Sequence, residues 1–262
     1  MKIIVCIKQV PERDAQVRID SSGKWIEESD IQFAMNESDA YALEEALQLK
    51  EKHGGEVVIL SAGPERAGTT IREALAKGAD RAIQVESDNL NTLDALGVAQ
   101  LLSAAAKQES PDLVLTGLQS DDMGYGQTGV IMAELMDLPH ASLILNVEKT
   151  DSGITVKREL EEGWFQNIDL PLPAVLMIQS GGTKLRYATL MGIKKAKTKE
   201  LSKVSAADFG ASDAPGAPAA PAATLEKITQ PPKQKSTQII PGSPKEAAAT
   251  LVEKLKFEVR II

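Results

Sequence analysis

The sequence predicts an α/β protein: a doubly wound, mainly parallel sheet with an antiparallel extension and a C-terminal arm. Three observations carry that expectation. Runs of β-branched and aliphatic residues recur at Ile3–Ile7, Glu56–Ser61, Arg81–Val85 and Asp112–Thr116, each bounded by turn residues. Helical stripes separate them, so the strands pair in parallel through right-handed crossovers. The alternation then breaks after Pro139, where hairpin-like segments take over.

In chain order, MKIIVCIKQV places lysines around five apolar residues, too few for the core of a signal peptide, and reads as a buried strand. The first helix follows Asn36-Glu37-Ser38-Asp39, with Ala42, Leu43, Ala46, Leu47 and Leu49 inward, Glu44 and Glu45 outward and Gly54 as its stop. A second runs from Pro64 to Lys77 with Ile71, Ala74 and Leu75 inward and ends at Gly78. A third spans about Leu93 to Lys107 on Leu96, Leu101, Leu102 and Ala105. Ser142–Glu148 and Ile154–Leu160 flank the turn residues Thr150-Asp151-Ser152-Gly153. They form a hairpin, and Pro173–Ile178 joins them in the antiparallel extension. Residues 1–210 thus make the α/β domain, and 211–262 a linker and arm. The stretch SDAPGAPAAPAA reads as an extended surface linker. Ser243-Pro244-Lys245-Glu246 is a capping box opening a terminal helix over Ala247, Leu251, Val252 and Leu255. A lone short helix is marginal in water, so the arm is expected to dock, on its own domain or on a partner subunit.

Composition narrows the function. The 262 residues are 43% hydrophobic and 25% charged, ordinary for a soluble domain. The 29 basic and 37 acidic residues give a net charge of −8, and aromatics are only 3%, which disfavours a nucleic-acid partner. A single Cys6 and two histidines, His53 and His140, offer no metal cluster and no Cys-His pair. No window reaches the roughly 20 apolar residues of a membrane span, so no direct membrane insertion and a bacterial cytoplasmic location are expected.

The most informative stretch is Asp112–Pro139: a strand, the polar glycine-rich LQSDDMGYGQTG, then a helical pattern. A strand handing over to a helix through glycines offers unpaired N–H groups and a positive helix end, both suited to phosphate. The carboxyl edge of such a sheet is where a nucleotide sits. Gly124, Gly126 and Gly129 also spell G-x-G-x-x-G with Glu148 downstream, but several residues after the strand and after two earlier βα units, so a literal dinucleotide fingerprint and a plain loop stand beside the phosphate reading. Asn36–Asp39 can be an N-cap or share the crevice with this loop. Asp121 and Asp122 read most simply as solvated turn residues, and Cys6 as a buried hydrophobe. Lys184–Lys203 carries seven basic residues and one acid around Tyr187-Ala188-Thr189-Leu190-Met191, which is either a solvated face or a docking loop with an apolar anchor.

Together VCIKQVP, MNESDAYALEEALQLKEK, SAGPERAGTTIREALAKGADRAI, GLQSDDMGYGQTG and LRYATLMGIKKAKTK, in this order and spacing, resemble the small (β) subunits of electron-transfer flavoproteins over nearly the whole chain. That resemblance implies a Rossmann-like adenine-nucleotide-binding fold and a heterodimer with an alpha subunit. It implies one FAD, shared but mainly on the alpha subunit, and a structural AMP in this chain. It implies no catalysis by the chain itself: electrons pass from flavin dehydrogenases to a membrane quinone reductase or comparable acceptor. By position, the AMP contacts fall on Cys6, Asn36, Glu37, Ser38, Asp39, Ala62, Gly117, Leu118, Gln119, Ser120, Asp121, Asp122, Met123, Gly124, Tyr125, Gly126, Gln127 and Thr128, and Arg13 falls near the flavin. Tyr187, Ala188, Thr189, Leu190 and Met191 fall on the partner-recognition loop, with Leu190 at the anchoring position. The alternatives are a stand-alone nucleotide-binding module of the stress or signalling type, an NAD-dependent oxidoreductase on the G-x-G-x-x-G, and an electron-bifurcating subunit with a second FAD in place of AMP.

Overall fold

A computed structural model describes residues 1–86, 93–209, 221–231 and 237–262, and the described chain divides into units 1–227 and 228–262. The first unit is built on a nine-stranded sheet. Its first half follows the predicted alternation: β1 (Lys2–Cys6), α1 (Glu37–His53), β4 (Glu56–Ala62), α2 (Gly68–Lys77), β5 (Arg81–Glu86), α3 (Ala95–Glu109), β6 (Leu113–Gly117) and α4 (Thr128–Met136). A short antiparallel pair, β2 (Gln9–Pro11) and β3 (Phe33–Met35), lies between β1 and α1. The helix boundaries obey local chemistry. Gly54 stops α1 at φ 70°, Gly78 stops α2 at φ 138°, and the Asp94 carboxylate accepts from Gly97 N at the start of α3.

Strand order runs β11 (Leu201–Ser205), β5, β4, β1, β6, β10 (Ala174–Ile178), β7 (His140–Lys149), β8 (Ile154–Glu159), β9 (Phe165–Leu170), with β1 flanked in parallel by β4 and β6. The chain winds outward from β1 through β4 to β5, then crosses to the other side with β6, so strand order reverses between β1 and β6. Alternation along the strands divides the core into two layers. Ile3, Val5, Val57, Ile59, Leu113 and Leu115 face α1 and α2, while Ile4, Val58, Leu60 and Val114 face α3 and α4.

The second half departs from expectation in three places. β7 (His140–Lys149) and β8 (Ile154–Glu159) form the predicted antiparallel hairpin, continued by the unforeseen β9 (Phe165–Leu170). The strand expected to extend that antiparallel region, β10 (Ala174–Ile178), instead lies between β6 and β7 and parallel to both. All five of its residues are buried, the pattern of an interior parallel strand rather than an edge. The basic run Lys184–Lys203 is not a plain loop: it contains α5 (Leu190–Ala196) and enters β11 (Leu201–Ser205), which pairs in parallel with β5.

A fourth correction concerns α1. Glu44 and Glu45, expected outward, are 4% and 6% exposed. Both are paired: Arg186 reaches Glu44, and Glu45 Oε1 accepts from Val147 N of β7 at 2.9 Å. The Arg186 guanidinium keeps Glu44 charged, whereas Glu45, met by an amide, has its carboxyl pushed up to about 7 by burial.

In the second unit, Ser243 forms the predicted capping box with Glu246, opening α6 (Pro244–Glu253), which continues as a π-turn over Lys254–Val259. The expected linker falls mostly on residues 210–220, outside the described residues. No helix among the described residues is long and apolar enough to cross a membrane.

Candidate functional site

The carboxyl ends of β1 and β6 adjoin the reversal point, and the first turn of α1 ties them together. Asp39 is buried and accepts from Lys8 N at 2.7 Å and Gly117 N at 3.0 Å, one oxygen to each strand end. Burial pushes its carboxyl up to about 7 despite these amide donors and the nearby Lys8 charge. Asn36, 1% exposed, donates through Nδ2 to Gln119 O at 2.9 Å and accepts from Asp121 N through Oδ1 at 2.9 Å. Ser38 Oγ donates to the same Gln119 carbonyl at 2.8 Å. Asn36–Asp39 therefore does share the crevice with the loop, and spends its polar atoms on shaping that loop.

The loop answers in kind. Asp121 Oδ2 accepts from Glu37 N at 3.0 Å, capping α1 where Asn36 offers no side-chain cap. Asp122 Oδ1 pairs with Lys8 Nζ at 2.7 Å. Burial would raise the Asp122 carboxyl, but the Lys8 ammonium and donors from Ser120 and Met123 hold it below its usual range. Both aspartates are exposed turn residues, as expected, but each also has a partner far away in the chain, Glu37 N for Asp121 and Lys8 for Asp122. Lys8 is a residue of this site whose one signal in the sequence is its place just beyond the first strand.

Past Asp122 the loop exposes Tyr125 and passes through Gly124 and Gly126 at φ 64° and 62°, the left-handed region where glycine is favoured. It then enters α4, whose N-cap Gln127 provides no side-chain cap and whose first turn holds no acid. The first amide returning into the helix is Ile131 N, bonded to Gln127 O at 3.0 Å. Gly129 is pressed on Thr116 and Met177, where an added Cβ would lie 2.6 Å from Oγ1 and 2.5 Å from Cγ, so this helix start is drawn tightly onto the sheet. Gln127 is exposed and Thr128 half-buried beside this turn. The result is a positive helix end with side-chain amide and hydroxyl groups at its rim, chemistry that binds a phosphate oxygen. Cys6 ends β1 buried, its thiol pushed up by burial and by Asp39, while Ala62 ends β4 half-buried. The strand ends and loop can therefore contribute walls and backbone, and α4 the anion end. Among the described residues, no group of three His, Cys, Asp or Glu side chains could hold a metal ion.

Arg13 lies at the outer margin of this ring of bonds, beside Glu37. Its side chain is 91% exposed, with Nη2 4.0 Å from Glu37 Oε2.

The second feature is a tip. Tyr187 and Leu190 are 90% and 87% exposed, and Met191 and Ile193 are also exposed. Thr189 caps α5, its Oγ1 accepting from Gly192 N at 3.0 Å, and Ala188 is half-buried. The basic run divides into two sets. Arg186, Lys199 and Lys203 engage their own chain, whereas Lys184, Lys194, Lys195 and Lys197 are exposed around the apolar tip.

A nine-stranded, mainly parallel sheet wound out from β1 in both directions, with an uncapped helix start beside its reversal point, defines the class: a doubly wound α/β protein. The sequence profile described as the electron transfer flavoprotein domain matches residues 24–209. The chain is 38% identical over 257 residues to the electron transfer flavoprotein subunit beta of Methylophilus methylotrophus, covering 97% of each chain. It is 36% identical to that of Bradyrhizobium diazoefficiens and 33% to that of Bacillus subtilis, covering the whole of both chains in each case. The chain belongs to the electron transfer flavoprotein family, on the side of its beta subunits. Its role is accordingly in flavin-linked electron transport.

Proposed function

We propose that the chain is the beta subunit of a heterodimer with an electron-transfer flavoprotein alpha subunit, binding AMP as a structural ligand and helping to hold an FAD carried mainly by that subunit. The pair accepts electrons from flavin dehydrogenases and passes them to a membrane quinone reductase or comparable acceptor. The observation that carries the nucleotide part is the uncapped start of α4 at the sheet's reversal point. An anion there meets free amides and the positive helix end.

In this reading the N–H groups at the α4 start, with Gln127 and Thr128, take the phosphate. The Cys6 and Ala62 strand ends and the backbone from Gly117 to Gly126 surround adenine and ribose. Asn36, Glu37, Ser38 and Asp39 hold that backbone in shape through their bonds to it and to the strand ends. FAD, when bound, supplies the redox chemistry, and the protein positions it. The exposed Arg13 is the residue of this chain offered to the flavin's side. Leu190, with Tyr187 and Met191 beside it, enters an apolar socket on the dehydrogenase. Small interfaces are usual in redox encounters, so one anchor can hold a complex without slowing its release.

Mass spectrometry of ligands released from the denatured heterodimer tests this. About one AMP and one FAD per heterodimer are expected for a single-site nucleotide reading. Two FAD with no AMP would place the chain in the bifurcating branch instead. A colourless homodimer that binds ATP would point to the stand-alone module, and nicotinamide turnover by the isolated chain to an oxidoreductase.

A further inference from the structure

The apolar tip is exposed, yet the segment that carries it is fastened to the body at both ends. On the entry side, the Arg186 guanidinium spans two carboxylates of α1. Nε and Nη2 donate to Glu44 at 2.8 and 3.0 Å, and Nη1 and Nη2 donate to Glu51 at 2.6 and 3.1 Å. Arg186 N also donates to Glu44, at 3.2 Å, so backbone and side chain are both caught. Between the two carboxylates, Gln48 Nε2 donates to Thr183 Oγ1 at 2.8 Å. Residues 44, 48 and 51 share one face of the helix, and that face grips residues 183–186. Although burial raises the Glu44 carboxyl, its bonds to Arg186 and Gln48 hold it below its usual range.

On the exit side, Arg72 Nη1 of α2 donates to Ala196 O and to Lys199 O, each at 2.7 Å, and so fastens the last turn of α5. Lys199 Nζ donates in return to Leu75 O and Ala79 O. Between these fastenings Gly192 lies directly on the Ala76 carbonyl, where an added Cβ would collide with that oxygen. A segment whose only role was to be a solvated basic face would need none of this. A rigid presentation of Leu190 does need it, because fixing an anchor before contact removes its ordering cost from the binding step.

We infer that Arg186, with Glu44 and Glu51, and Arg72 are positioning residues that hold the Leu190 tip in its docking pose, so that partner affinity depends on side chains that never touch the partner. This rests on the reading of Leu190 as the docking anchor.

The test uses the purified heterodimer with a flavin dehydrogenase as electron donor, and reads KM and kcat together with amide hydrogen exchange over residues 187–196. Arg186→Met is expected to raise KM by about tenfold with kcat, flavin and adenylate contents unchanged, and to speed exchange across the tip. Arg186→Lys, which keeps one charge but not the fork, should recover part of that loss. Adding Leu190→Ala to Arg186→Met should cost less than the two single effects combined, since both act through one anchor. If Arg186→Met does not assemble, Gly192→Ala and Glu51→Gln serve in its place, with the same split between KM and kcat expected. An unchanged KM despite faster tip exchange, while Leu190→Ala alone raises KM, overturns the positioning role and leaves the docking reading intact. An unchanged KM for Leu190→Ala itself removes the docking reading, and this inference with it.

Discussion

The crevice beside α4 and the tip of α5 treat polar groups in opposite ways. In the crevice Asn36, Ser38, Asp39, Asp121 and Asp122 are all bonded internally, leaving one helix end without a cap. At the tip the bonded groups sit behind the surface, and what faces outward is apolar with exposed lysines around it. A frame of fixed donors suits a ligand that stays. An apolar point with no fixed polar partners suits one that comes and goes.

The comparison breaks most visibly at Gly129. Gly129→Val must push α4 off Thr116 and Met177, and a cost of about 3 kcal/mol is expected, with the adenylate lost from the purified complex. Urea unfolding and ligand chromatography measure the two halves of that statement. Leu190→Ala should do the reverse. Electron transfer from the dehydrogenase should weaken by about 2 kcal/mol, roughly thirtyfold in KM, while the melting temperature stays where it was, because nothing inside the subunit covers that side chain.

A smaller effect comes from two carboxylates of α1. Burial pushes both Asp39 and Glu45 up to about 7. Between an unfolded carboxyl at its ordinary value and the folded one near 7, the folded state holds the extra protons. Stability therefore falls as pH rises through that window. About 1 kcal/mol per group should be lost between pH 6 and 8, and Glu45→Gln should remove its share of the slope while keeping an acceptor for Val147 N. Denaturation midpoints at the two pH values check it; a slope unaltered in Glu45→Gln would mean Glu45 is not the titrating group. Smallest is the effect of salt. Raising ionic strength from about 50 to 200 mM should increase KM for the dehydrogenase about twofold through the exposed lysines around Leu190, with no change in adenylate retention.

Much of this architecture is legible in the sequence because its determinants are local. Gly54 and Gly78 stop helices by their own backbone freedom, Ser243 and Glu246 cap a helix three residues apart, and the aliphatic runs of β1, β4 and β6 need no distant information. The burial of the α1 carboxylates is hidden for the opposite reason. The partner of Glu44 is Arg186, and that of Glu45 is an amide of β7; neither lies near them in the chain. The same distance hides the roles of Asp121 and Asp122, whose partners are Glu37 N and Lys8. β9 is half polar, FQNIDL, and β11 sits in a lysine-rich run, so neither shows an apolar run strong enough to mark a strand. The interior place of β10 does have a local signature. AVLMI has no polar residue to turn toward water, and an uninterrupted apolar run belongs inside a parallel sheet. The tip's apolar residues were visible as sequence, but its fastening to α1 and α2 was not, since every bond of it joins residues far apart.

The seat of β10 also sets an order of events during synthesis. Until residue 178 has left the ribosome, β6 lacks one neighbour and β7 cannot join the main sheet, because the strand that bridges them comes after both. A nascent chain stalled before Pro173 would thus carry open margins on β6 and β7, besides that of β5, whose neighbour β11 comes later still. Open margins of this kind are templates for pairing with other chains until the interior strand arrives.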